Sequence, residues 1–296
     1  MPDVPLPFED ADVQTAFPNY QIHVPMLGRG TFKVAYRFSG EAPSDYVLKI
    51  LTDPVALEVD GQEVDVGTLP ERLARELAGM SLVSSPHLAQ MVAAPVVTDI
   101  NGGRFIVYEE RYYGGGTLED RLAGGPLDAD QTEALVIALL LAVQALWQEG
   151  IVHRDIKPAN IVFDDANTPV LIDLGIALHT GLSDLTESYD ESPKTPIYAA
   201  PEQFGARRYA EIDVRTDQFL IGIVGYQALT GVHPFRTPDI TRREQYIHKL
   251  LTFENVDSSL LNCSPELQAV LIRMLAPKPN RRFRTIEEPL RVLVKE

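Results

Sequence analysis

The sequence predicts a two-lobed α+β fold, in which a small antiparallel β lobe carrying one main helix precedes a larger, mostly α-helical lobe. Three observations predict it. Short apolar strings separated by turn residues fill the first third of the chain, the run Gly114-Gly115-Gly116 ends that pattern, and beyond it the apolar periods become helical.

The first lobe is expected over about residues 20–110, with strands at 22–27, 34–38, 46–51, 91–97 and 105–108. Its one helix is expected over 69–82, where Leu73, Leu77 and Met80 share a face and Glu71, Arg72, Arg75 and Glu76 are among the polar residues. Between strand and helix, residues 52–67 are acidic and without helical period, so they read as a surface excursion. Residues 111–116 are expected to form a hinge, because glycines bend at low cost. In the second lobe, 117–296, the clearest helices are 130–148 and 216–230, with Gly150 and Gly231 placed as C-terminal caps.

Composition bounds the function. The chain has 296 residues, 45% of them hydrophobic, which is enough for a sizeable core and argues against disorder. A net charge of −16 disfavours nucleic acid and anionic membrane surfaces and suits a protein substrate better. Cys263 is the single cysteine, so no intrachain disulfide is expected and the chain reads as cytoplasmic. Met1-Pro2-Asp3-Val4-Pro5 has neither the basic nor the apolar region of a signal peptide. The longest apolar run, 134–143, falls short of the ~20 residues that span a bilayer and reads as a buried helix.

Three patterns carry chemistry. Gly28 and Gly30 lie at a strand-turn-strand junction, where backbone amides can approach phosphate oxygens, although alone such a pair is usually only a turn. Lys49 sits among apolar residues in a strand, and a buried ammonium needs an anionic partner. Glu76 is the first candidate for that partner and Glu71 the weaker one, while the bland alternative is an edge-strand lysine with its head in water. The most specific pattern is His153-Arg154-Asp155-Ile156-Lys157-Pro158-Ala159-Asn160, followed by two short strands of which the second delivers Asp173. Phosphoryl transfer requires a hydroxyl-orienting carboxylate, hard oxygen ligands for a divalent cation and a cation near the transferred group. Asp155, Asn160, Asp173 and Lys157 supply these groups.

At this point the chain resembles the eukaryotic-type (Hanks-type) serine/threonine protein kinases, from about residue 22 to 282. The resemblance rests on ordered motifs: Gly28-x-Gly30, Lys49, Glu76, His153-Arg154-Asp155 with Asn160, Asp173-Leu174-Gly175, Ala200-Pro201-Glu202, Asp217 and Arg282. It implies the two-lobed protein-kinase fold, transfer of the γ-phosphoryl of ATP to protein serine or threonine, and Mg²⁺ as metal, with Mn²⁺ as an alternative. Catalytic roles then fall to Asp155, which orients the substrate hydroxyl, to Lys157, which steadies the moving phosphoryl group, and to Lys49 paired with Glu76. Asn160 and Asp173 hold the metal, and Gly28, Gly30, Lys33, Ala35, Val47, Lys49, Tyr108 and Glu109 surround the nucleotide, Tyr108 as gatekeeper. Lys157 also implies a serine or threonine acceptor, since tyrosine-specific members lack it at this place.

Other matched residues are expected to be structural: His153, Leu174 and Met80 in an apolar spine, Asp217 as anchor of the catalytic loop, and Glu202 paired with Arg282. Residues 173–202 resemble an activation segment with Ser183, Thr186, Ser188, Tyr189 and Ser192 as possible phosphate acceptors that Arg154 would read, and Thr195 as a contact to the catalytic loop. Two features depart from the family pattern. Lys33 replaces the third glycine, offering a second cation beside Lys49, and Leu174 replaces the usual Phe. Lys49 is taken as the essential lysine, with Lys33 solvated or assisting. A pseudokinase scaffold and a small-molecule phosphotransferase are the alternatives, opposed respectively by the full catalytic set and by Ala200-Pro201-Glu202.

Overall fold

Alternation in Lys-Val-Ala-Tyr-Arg-Phe-Ser sends Val34, Tyr36 and Phe38 to one side of a strand, where each is almost completely buried. In the computed structural model, which describes residues 5–29, 33–40, 45–52, 58–59, 62–63, 83–173, 197–204, 212–236, 240 and 242–294, this strand is β2 (Lys33–Ser39). It pairs antiparallel with β1 (Gln21–Arg29) and with β3 (Tyr46–Leu51). A two-residue ribbon, β4 (Glu58–Val59) and β5 (Gln62–Glu63), lies within the acidic stretch expected as an excursion. Strands β6 (Met91–Ile100) and β7 (Gly103–Arg111) complete a five-stranded sheet of order β1-β2-β3-β7-β6. They are joined at Asn101-Gly102, both with positive φ (53° and 76°), the backbone a tight hairpin demands. All five expected strands are present, and the helix expected over 69–82 lies outside the described residues.

The described residues divide into two units. In the smaller, one face of the sheet is apolar, formed by Val34, Tyr36, Phe38, Leu48, Ile50, Phe105 and Val107. A short helix that sequence periodicity did not disclose, α1 (Asp10–Ala16), covers it with Val13, and Phe8 just before the helix joins the same core. Phe8 meets Phe105 edge to face at 5.1 Å, and the Tyr36 hydroxyl donates to Asp10 at 2.7 Å. Gln14 ties the helix to β1 by donating to the Tyr20 carbonyl and accepting from the Ile22 amide. Burying side chains of this size stabilises by about 1.5–3 kcal/mol each.

The larger unit contains α2 (Leu118–Ala123), α3 (Ala129–Gln148), α4 (Val214–Thr230), α5 (Arg243–Thr252), α6 (Pro265–Met274) and α7 (Glu287–Leu293). Asp128 caps α3 in a reciprocal box with Gln131. Helix α3 is 20 residues long and apolar enough by composition to cross a membrane, longer than the apolar run suggested. Half of that apolar window is buried inside the fold, including Leu135, Leu139, Val143 and Leu146. Helix α4 is buried on nearly every side, polar Thr216, Asp217 and Gln218 included, and ends at Gly231 with φ of 72°. The middle of the glycine run makes a close approach: a Cβ on Gly115 would stand 2.6 Å from the Phe163 carbonyl oxygen, which its own amide meets at 2.8 Å. That contact docks the chain against β8 (Ile161–Phe163), which pairs with β9 (Pro169–Leu171) in a two-stranded sheet.

Candidate active site

The candidate residues of the small unit lie in cross-strand rows. Ala35 stands opposite Lys49, and Lys49 opposite Tyr108. Two positions along the ladder in one direction the row holds Arg37, Val47 and Glu110, and two positions in the other it holds Lys33 and Leu51. Residues paired across a sheet share a face, so Lys33, Ala35, Val47, Lys49 and Tyr108 share the face opposite the apolar core. Gly28 joins them across from Ala35. Glu109 does not: it stands opposite Leu48, on the core side, where burial pushes its carboxyl above the ordinary range. Gly30 and Glu76 lie outside the described residues, as do Met80, Leu174, Gly175 and the acceptors expected between 183 and 195.

Lys49 has an acidic partner that the sequence did not point to. Its ammonium lies 2.6 Å from Oε2 of Glu110, with the two side chains 3% and 4% exposed. The ring of Tyr108 lies 5.9 Å from the same ammonium, a cation–π distance. The signal for Glu110 was faint, because which residue of β7 faces Lys49 depends on register.

In the large unit, Asp155 is held by its neighbours. Lys157 donates to both carboxylate oxygens, at 2.9 and 2.8 Å. Asn160, at the end of a short 3₁₀ turn, donates through Nδ2 to the Asp155 carbonyl at 2.8 Å and to Oδ2 at 2.9 Å. Neither bond engages Asn160 Oδ1, the atom a hard cation would take. The Ile172 amide donates to the Asn160 carbonyl at 2.9 Å, so Asp173 follows a residue tied to Asn160. Asp173 itself has a φ of 61°, a left-handed conformation that is uncommon outside glycine. Asn160 Oδ1 and the Asp173 carboxylate are hard oxygen donors of the kind Mg²⁺ takes.

The loop before Asp155 is fixed from beneath. Arg154 also has a positive φ, 68°. Its amide and that of His153 donate to the two oxygens of Asp217, each at 2.8 Å. Burial pushes the Asp217 carboxyl up to about 7, against the opposing pull of those two amides. His153 is fully buried, with Nε2 3.2 Å from the Ile172 carbonyl, in keeping with a packing role. Gln203 is a residue the sequence reading passed over: its amide accepts from Ala200 and donates to the Arg154 carbonyl at 3.1 Å. Nearby, Arg282 and Glu202 form the expected buried pair, bidentate at 2.5 and 2.9 Å. Thr216 donates to the same carboxylate, and the guanidinium stacks 4.5 Å from the Phe219 ring.

Residues 22–291 match the family model described as "Protein kinase domain". The chain is 27% identical over 274 residues to the CBL-interacting serine/threonine-protein kinase 20 of Arabidopsis thaliana, covering 88% of this chain and 55% of that protein. It is 32% identical over 219 residues to the serine/threonine-protein kinase PknB of Mycobacterium leprae, covering 73% of this chain and 34% of that protein. The chain thus spans about half, or less, of the length of these relatives. Among solved structures it is similar to Rad53 1–466 in complex with AMP-PNP, with a TM-score of 0.68, 20% identity, and coverage of 94% of this chain and 66% of that one. At that identity the likeness concerns the fold.

Proposed function

Because this chain belongs to the protein kinase family, we propose that it transfers the γ-phosphoryl group of ATP to serine or threonine hydroxyls of protein substrates. The observation that carries the reading is the clamp on Asp155, whose carboxylate is gripped by Lys157 on both oxygens and by Asn160 on one.

Asp155 accepts a hydrogen bond from the substrate hydroxyl and takes its proton as the oxygen attacks phosphorus. The Asn160 contacts keep that carboxylate in one orientation, so the attacking oxygen meets a preset geometry. Lys157, already beside Asp155, offers its ammonium to the phosphoryl oxygens as charge moves between donor and acceptor. Lys49 binds the α- and β-phosphates from the sheet face. Lys33, two positions along the ladder from the Lys49 row, assists it. Asn160 Oδ1 and the Asp173 carboxylate would hold Mg²⁺, which would supply positive charge to the phosphates during transfer.

The test is incubation with Mg·ATP followed by mapping of phosphorylated residues, comparing the native chain with Asp173→Asn. Phosphate on serine or threonine in the native chain alone is expected. Equal incorporation by both would defeat the enzymatic reading, and phosphate on tyrosine alone would defeat the acceptor assignment.

A further inference from the structure

We infer that Glu110 is a positioning residue for Lys49, supplying a buried counter-charge that aims this ammonium, so that nucleotide binding depends on it. The inference rests on the proposed role of Lys49 in holding phosphates.

Lys49 is opposite Tyr108 and Val47 is opposite Glu110. Residues two apart on a strand share a face, so Glu110 stands diagonal to Lys49 at a spacing that two long side chains span. Their charged atoms meet at 2.6 Å with both side chains almost wholly buried. A charge at that depth costs free energy unless an opposite charge faces it, and here each of the two faces the other. Glu110 is also anchored by the ladder of β7, on the strand adjoining β3, so its position is set by the sheet. The contact with Glu110 Oε2 fixes the direction in which the ammonium points.

The opposite relationship is physically distinct. If Glu110 merely competed with phosphates for Lys49, removing its charge would tighten binding.

The experiment is calorimetric titration of the whole chain with ATP, for wild type, Lys49→Met, Glu110→Gln, Glu110→Asp and the double variant Lys49→Met/Glu110→Gln, with thermal melts as a fold check. Each single variant of Lys49→Met and Glu110→Gln should weaken ATP binding by at least about tenfold, and the double variant should bind no more weakly than Lys49→Met alone. Glu110→Asp, which keeps the charge one methylene short, should recover part of the loss. It carries the test alone if Glu110→Gln does not fold, since binding equal to wild type would then overturn the inference. Unchanged or tighter binding by Glu110→Gln, or additive losses in the double variant, would also overturn it. If wild type does not bind ATP, or Lys49→Met binds as wild type does, the failure lies with the reading of Lys49 itself.

Discussion

Lys157 reaches both carboxylate oxygens of Asp155, at 2.9 and 2.8 Å, and each side chain remains about a third exposed. A pair this open to solvent contributes little to stability, within about 1 kcal/mol. Lys157→Ala should therefore leave the melting temperature nearly unchanged. The same change removes a cation from the place where charge shifts during phosphoryl transfer, so kcat should fall by roughly 10²–10³-fold. Steady-state kinetics beside a thermal melt separate the two effects, and a large drop in melting temperature would assign Lys157 to the framework instead.

The two amide bonds that Asp217 accepts from His153 and Arg154 hold a loop whose Arg154 has a φ of 68°. Asp217→Asn keeps the shape but turns one acceptor into a donor, leaving a buried N–H facing an NH₂ group. The expected loss is about 1–3 kcal/mol in denaturant unfolding, with activity reduced because the Asp155 loop is no longer fixed. A variant with wild-type stability and wild-type rate would show that the loop does not need this anchor.

Glu202 and Arg282 are both buried, and the guanidinium also donates to the carbonyls of Ala276, Arg215 and Pro277. Removing one partner strands a charge in the interior. Arg282→Met should destabilise by about 3–5 kcal/mol, and adding Glu202→Gln should restore part of that loss. Urea unfolding of the single and double variants measures both. Equal stability of the two would mean that the stranded carboxylate is not what destabilises the single variant.

Much of this fold was legible because its signals are local. The strand at Tyr46–Leu51 was expected at those bounds, and α3 and α4 differ from expectation by one or two residues at their starts. Helix α1 was missed because seven residues with one buried side chain, Val13, show no period. That Asp155, Lys157 and Asn160 share one loop was legible too, since they lie within six residues, but their hydrogen bonds to the Asp155 carboxylate were not among the expectations. Glu110 and Gln203 were not, because their roles depend on strand register and on a contact between residues 49 apart in sequence. Sequence patterns name the elements; they do not fix how separated elements register against each other.

His233 extends that lesson to pH. Its ring is buried among Tyr198, Phe235 and Tyr246, with centroids 5.2, 6.2 and 6.1 Å away. Nε2 meets the Ile197 carbonyl at 2.9 Å while Nδ1 accepts the Phe235 amide, which fixes the neutral tautomer with its proton on Nε2. Burial depresses its pKa from 6.5 to about 4; the Ile197 carbonyl pulls upward and Arg236 pushes further down. With the folded value below the unfolded one, the unfolded chain binds the extra proton between them. The stability contributed by neutral His233 is thus fully present above pH 6.5 and is lost as pH falls from there towards about 4. The loss over that window is about 3 kcal/mol. Unfolding free energies of wild type and His233→Gln, measured across that range, should converge as pH falls. A difference that does not change with pH would show that the imidazole is not held neutral in the fold.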